Sequence, residues 1–122
     1  MAQHNIQGKN GEELAASFLL SKGYSILERN WRYSKNEVDM IAKKNNLLIF
    51  VEVKTRKSEF FGLPESFVSA TQKRNLARLS EQYCISKQIK DAEIRYDIIA
   101  VIKNKAFEKI LHFEDAFFPD LT

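Results

Sequence analysis

The chain has 122 residues, a net charge of +3, 44% apolar residues and 29% charged ones. That balance suits a single domain over residues 1–122 with one core, and it excludes a disordered or collagen-like chain. No apolar run approaches the ~20 residues of a spanning helix. The N-terminus, Met1 to Asn5, lacks the basic and apolar regions of a signal peptide. A lone cysteine, Cys84, excludes an intrachain disulfide, and with His4 and His112 it shows no zinc-ligand spacing. The expectation is a cytoplasmic protein with no membrane partner.

Gly8 to Lys22 reads as a helix, because Leu14, Ala15, Phe18 and Leu19 form one apolar stripe. Gly11 sits near the middle of that stripe, where a missing Cβ lets another element come close. Of the adjacent carboxylates, Glu13 points to water while Glu12 lies at the stripe's border and can look along a sheet surface. An acid near a helix N-terminus is also an ordinary response to the macrodipole. Gly23 stops the helix. Tyr24 to Leu27 reads as a short extended segment. Arg29-Asn30-Trp31-Arg32-Tyr33 interleaves basic and aromatic residues, a mixture that grips nucleic acid or, in the preferred reading, anchors Trp31 in the core.

After a turn at Ser34-Lys35-Asn36, the stretches Glu37 to Ala42 and Leu47 to Thr55 read as two strands of a hairpin around Asn45-Asn46. A two- or four-residue loop gives one register, which sets Asp39 opposite Glu52, Ile41 opposite Phe50 and Glu37 opposite Lys54. Strict alternation places Val38, Met40, Ile49, Val51 and Val53 on one face and Ile41, Leu48 and Phe50 on the other. Two apolar faces imply cover on both sides, hence a mixed α/β layer structure. Lys57 to Pro64 is a loop carrying Phe60-Phe61-Gly62. Glu65 to about Lys87 is expected as a helix with Leu76, Leu79 and Tyr83 inward and Lys73, Arg74 and Arg78 off that stripe. Ile94 to Ile102 and Phe107 to Phe113 are further strands, and Glu114 to Phe118 a terminal turn or helix.

The chemistry concentrates at Glu52 and Lys54. They interrupt an apolar strand and share one face, and the register adds Asp39. Two carboxylates in contact repel unless a proton or cation lies between them. Mg²⁺ takes one or two protein carboxylates and fills its other places with waters and phosphate oxygens, a need that Asp39 and Glu52, with the Val53 carbonyl, can meet. Lys54 can orient an attacking water or stabilise transition-state charge, and Glu12 can add a further ligand. The plainer reading is a surface ion-pair cluster worth roughly 0–1 kcal/mol per pair. From Lys54 to Arg78, six basic residues (Lys54, Arg56, Lys57, Lys73, Arg74, Arg78) face two acidic ones, a local excess of four that leaves −1 for the rest of the chain. That window suits a polyanion or, equally, a solvated helix face.

Asp39 followed by Glu52-Val53-Lys54 resembles the D…(D/E)-x-K signature of the PD-(D/E)XK nuclease superfamily, with Val38 where the name has proline. The ordered set Gly8-x-x-Gly11-Glu12, Gly23-Tyr24, Arg29-Asn30-Trp31-Arg32, Glu37-Val38-Asp39-x-Ile41-Ala42, Phe50 to Arg56, Phe61-Gly62 and Tyr96-Asp97 resembles the YraN-like family, related to archaeal Holliday junction resolvases. The resemblance implies a restriction-endonuclease-like three-layer α/β/α fold with a central mixed sheet. It implies catalytic positions Glu12, Asp39, Glu52 and Lys54, with Asp39, Glu52 and Glu12 as ligands of Mg²⁺ or Mn²⁺. Arg56, Lys57, Lys73, Arg74 and Arg78 would contact nucleic acid, most simply DNA in a branched or junction form, and the enzyme would be a homodimer. Asn36 replaces the family's usual glycine, which implies an altered turn with the site kept. The competing expectations are a nucleic-acid-binding or adaptor protein with this fold and no useful catalysis, and a protein-interaction domain using Phe60, Phe61 and the acidic C-terminus.

Overall fold

A computed structural model of the chain describes residues 3–58 and 64–117, with side chains for 11–58 and 66–117. The expected Phe60-Phe61-Gly62 segment, and the chain beyond Phe117, lie outside those residues. The elements in order are α1 (Gln3–Ser21), β1 (Ser25–Tyr33), β2 (Asn36–Lys44), β3 (Leu47–Arg56), a short 3-10 turn (Pro64–Phe67), α2 (Ala70–Ser86), β4 (Glu93–Lys103) and β5 (Glu108–Phe113). The five strands form one sheet in sequence order. β3 and β4 are parallel, and the other neighbours are antiparallel. The parallel pair needs a crossover, which α2 supplies.

Two apolar clusters sandwich the sheet. Ala15, Ala16 and Leu19 of α1 pack on Met40, Ala42, Ile49, Val51, Ile99 and Val101. Leu76, Leu79 and Tyr83 of α2 pack on Val38, Ile41, Leu48, Phe50 and Ile98. This is the expected three-layer α/β/α arrangement around a mixed sheet. The stripe residues Ala15 and Leu19 are fully buried, as are Phe50, Ile98 and Ile99. Each of the leucine, isoleucine and phenylalanine side chains contributes about 1.5–3 kcal/mol of transfer free energy. Trp31 is the core anchor: its ring meets Tyr83 edge-on at 5.0 Å.

Several local expectations need correction. α1 begins at Gln3, ahead of Gly8. β1 runs unbroken through the basic-aromatic stretch to Tyr33. The turn that follows is Ser34-Lys35 alone, with Tyr33 already paired to Asn36. Ser34 takes the left-handed backbone (φ 58), so the tight turn does not depend on a glycine at position 36. The second helix does not start at Glu65. Ser69 caps it, its hydroxyl accepting from the Gln72 amide N–H while the Gln72 side chain accepts from the Ser69 N–H. This reciprocal capping box fixes the first turn at Ala70. Gly11 meets the expectation of a close approach, since an added Cβ would lie 2.5 Å from Thr55 Oγ1.

Candidate functional site

The hairpin of β2 and β3 turns through Asn45-Asn46, with Asn45 left-handed (φ 54). Its register is the expected one from Lys44↔Leu47 through Ile41↔Phe50 to Met40↔Val51. There the ladder ends. Asp39 and Glu52 do not continue it. Instead the Val53 N–H donates to Asp39 Oδ2 at 2.8 Å, so a side chain occupies the place of a backbone acceptor. Glu37 does not face Lys54; it pairs with Arg32 across β1, Nε to Oε2 at 3.7 Å. Nor does alternation persist. Val38 packs in the α2-side cluster with Ile41, while Met40 packs on the α1 side. The period-two pattern therefore slips by one at Asp39, and that slip marks the site.

Four of the expected residues act electrostatically on one another here: Asp39 on both Glu12 and Glu52, and Lys54 on Glu52. Glu52 is only 7% exposed, and its carboxyl interacts with that of Asp39. Burial, then the Asp39 charge, push its pKa up to about 8, with Lys54 pulling the other way. Glu12, on α1, is half-buried as its helical position requires, whereas Glu13 is exposed. The Glu12 carboxyl is likewise pushed above its ordinary range, first by burial and then by Asp39. Asn30 and Arg29 act in the opposite sense. Asp39 is thus the shared neighbour of Glu12 and Glu52. Among the described residues, no three Asp, Glu, His or Cys side chains converge closely enough to form a metal-binding group by themselves. Val53 contributes its N–H to Asp39.

Glu52 also lines a cavity of about 190 Å³ between the β1–β2 turn and α2. Amides from Asn36, Gln72 and Asn75 share its walls with Lys35, and Leu76 and Leu79 close it on the helix side. Gln72 and Asn75 went unnoticed in the sequence, although they follow from placing α2 one turn outward of the Leu76–Leu79 stripe.

The basic residues do not all gather at the carboxylates. Arg56 is half-buried, donates to the Thr55 carbonyl and lies over the Phe67 ring at 5.8 Å. Lys73 lies over Phe117 at 5.8 Å. Arg74 donates to Thr71 on its own helix, while Lys57 and Arg78 are exposed. These residues occupy the end of β3 and the outer faces of α2.

A second charged cluster lies on β4. The Asp97 carboxylate, fully buried, accepts four hydrogen bonds. Arg95 Nε and the Asp115 N–H reach Oδ1, and Arg95 Nη2 and His112 Nε2 reach Oδ2, at 2.8–3.0 Å. Arg95 also donates to the Tyr24 hydroxyl at 2.9 Å. Burial alone would raise the Asp97 pKa, but these donors outweigh it and hold it below the ordinary carboxylate value. The cluster ties β4, β5 and the turn after β5 to the start of β1. The signal for it was legible: Arg95 and Asp97 share a strand face two residues apart, as Glu52 and Lys54 do.

Among the described residues, no helix is long and apolar enough to cross a membrane. Residues 11–101 match the family described as Uncharacterised protein family UPF0102. A UPF0102 protein of Flavobacterium psychrophilum is 52% identical over 118 residues, covering 97% of this chain and 98% of its own. One from Phocaeicola vulgatus is 44% identical over 121 residues, covering 99% of each. Among solved structures, Pyrococcus furiosus SfsA in complex with Ca²⁺ overlaps 91% of this chain at 16% identity and a TM-score of 0.40. The chain spans only 63% of that protein, a likeness too loose to carry an argument about fold or chemistry. The family match over residues 11–101, with relatives about half identical along nearly the whole length, makes this chain a member of the UPF0102 family.

Proposed function

We propose that this chain is a divalent-metal-dependent nuclease that hydrolyses DNA phosphodiester bonds, with branched or junction DNA as its candidate substrate. The observation that carries the reading is the contact between the Asp39 and Glu52 carboxyls at the point where β2 and β3 part, with Lys54 two residues further on. A buried carboxyl such as Glu52 beside a second, half-buried one needs a positive partner or a proton. The donor set suits Mg²⁺ or Mn²⁺, which bind through one or two protein carboxylates and keep their remaining places for water and phosphate. When bound, the metal polarises a phosphoryl oxygen and lowers the pKa of water.

The chain's own residues supply the rest. Asp39 and Glu52 would hold the cation. The Val53 N–H fixes one oxygen of Asp39, which leaves the other to bind. Lys54, whose charge acts on Glu52, would orient water or stabilise charge on the phosphate. Lys57, Lys73, Arg74 and Arg78, with Arg56, give the backbone of a nucleic acid its cationic contacts.

The test is cleavage of junction, flap and linear DNA with Mg²⁺ or Mn²⁺ and with chelator. Wild type cuts only with metal. Lys54→Ala retains Mn²⁺ affinity but loses cleavage, and Asp39→Ala loses both. DNA binding without cleavage by wild type in either metal, unaffected by Asp39→Ala, would establish the non-catalytic binding reading instead.

A further inference from the structure

Asn30 lies in the middle of β1 yet has φ 53, in the left-handed region. Asparagine is among the few non-glycine residues that tolerate it. The ladder to β2 pairs Arg29 with Met40 and Trp31 with Val38, but skips Asn30 and Asp39. The side chains show the effect of that turn. Glu28 and Trp31 both meet Tyr83 of α2. The two residues between them, Arg29 and Asn30, both meet α1. One left-handed residue thus directs consecutive side chains to the α1 face, where strict alternation would send only one.

What Asn30 gains there is Glu12. Its Nδ2 donates to Glu12 Oε1 at 3.3 Å. Arg29 stands back at 3.9 Å from that oxygen, because its close contact is with Glu13 Oε1 at 2.7 Å. Glu12 is therefore oriented by a neutral amide and is not neutralised by a tight ion pair, so it keeps its charge for another partner. Its Oε2 makes no hydrogen bond or ion pair among the described residues, and the nearby Asp39 charge makes a cation the favourable partner.

We propose that Asn30 is a positioning residue: it holds Glu12 by Oε1 so that Oε2 supports, through a bound water, a divalent cation held by Asp39 and Glu52. This rests on the metal-dependent reading of the Asp39–Glu52 pair. The strained backbone at Asn30 is then the device that brings a donor from β1 to an acid on α1.

The experiment is Mn²⁺ binding by titration calorimetry, with thermal unfolding in chelator alongside. Asn30→Gly keeps the left-handed backbone and deletes the amide. It is expected to weaken Mn²⁺ binding about tenfold or more. Glu12→Ala weakens it comparably, and Asn30→Gly adds nothing in the Glu12→Ala background, because the first residue acts through the second. Asn30→Asp, which also tolerates the backbone but offers Glu12 an acceptor, weakens binding too, and it serves if the glycine variant does not fold. Arg29→Ala leaves the affinity within about twofold, given its engagement with Glu13. Unchanged affinity in Asn30→Gly, tighter binding in Asn30→Asp, or the same fold-loss with and without Glu12 overturns the proposal. Binding that survives Asp39→Ala, or none by wild type, instead overturns the metal reading and this inference with it.

Discussion

The Val53 amide and the Asp39 carboxylate are joined by a 2.8 Å hydrogen bond one step beyond the last backbone pair of the β2–β3 hairpin. Asp39 thus has two separable duties, closing the ladder and carrying charge. Asp39→Asn keeps an oxygen for the Val53 N–H and removes the charge. Asp39→Ala removes both and leaves a part-buried donor unpaired, a cost of about 1–3 kcal/mol. In metal-free protein the alanine variant is expected to melt below the asparagine variant, while both lose Mn²⁺ binding. Thermal unfolding in chelator checks this. Equal melting temperatures would mean that the hydrogen bond contributes nothing.

Glu52 makes the metal-free protein sensitive to alkali in a definite direction. Its pKa rises from 4.5 to about 8 on folding. The unfolded chain therefore releases this proton first as pH rises. The penalty is absent below 4.5, grows between 4.5 and 8, and is complete above about 8. One such group lowers stability by up to about 1.4 kcal/mol per pH unit in that window. Glu52→Gln is expected to be more stable than wild type at pH 8 and nearly equal at pH 4.5. Denaturant unfolding at three pH values reads the difference, and a constant gap between the two proteins would contradict it.

Asp97 acts in the opposite sense. Its folded pKa lies below the ordinary 3.8, so its contribution is present above that value and lost as pH falls through the folded value. Asp97→Ala leaves Arg95, 19% exposed, without its main partner, and is expected to cost about 3–5 kcal/mol. His112→Ala should cost less, since three donors remain on the carboxylate. Hydrogen exchange at the Asp115 amide gives a local readout: protection there disappears in Asp97→Ala and persists in His112→Ala.

Gly11 is set by space. A Cβ at that position meets Thr55 Oγ1 at 2.5 Å and Thr55 Cβ at 3.8 Å. Gly11→Ala gains about 1 kcal/mol of helix propensity but overpacks by about 1–3 kcal/mol, so net destabilisation is expected. Thr55→Ala removes the clashing oxygen and keeps the tolerable contact, so the double variant should recover stability above Gly11→Ala. Failure of that rescue would place the strain elsewhere.

The hairpin register, the inward stripe of α2 and the layered fold were all legible, because each follows from apolar periodicity and turn length. Glu12 rather than Glu13 followed from helical position alone. Val38 was misplaced because alternation assumes an unbroken strand, and the slip at Asp39 lies opposite a left-handed residue, Asn30, in the neighbouring strand. Ser69-x-x-Gln72 was a readable helix start, hidden by the apolar Phe67-Val68 before it. The rule that charges within an apolar strand need an explanation picked out Glu52 and Lys54. It applies equally to Arg95 and Asp97, where the explanation is a tie between strands, so the rule finds constraint and leaves its purpose open.

The cavity beside Glu52 has α2 as its far wall, through Gln72, Asn75, Leu76 and Leu79. Glu12, Asn30, Asp39, Glu52 and Lys54 all precede residue 55, so the first half of the chain carries every acid of the candidate site, while the low dielectric around Glu52 arrives only with the second half. The Glu52 proton is therefore a gauge of whether α2 is seated. Its carbonyl stretch in the infrared, read near neutral pH, separates a docked helix from a collapsed sheet that has not yet acquired its cover.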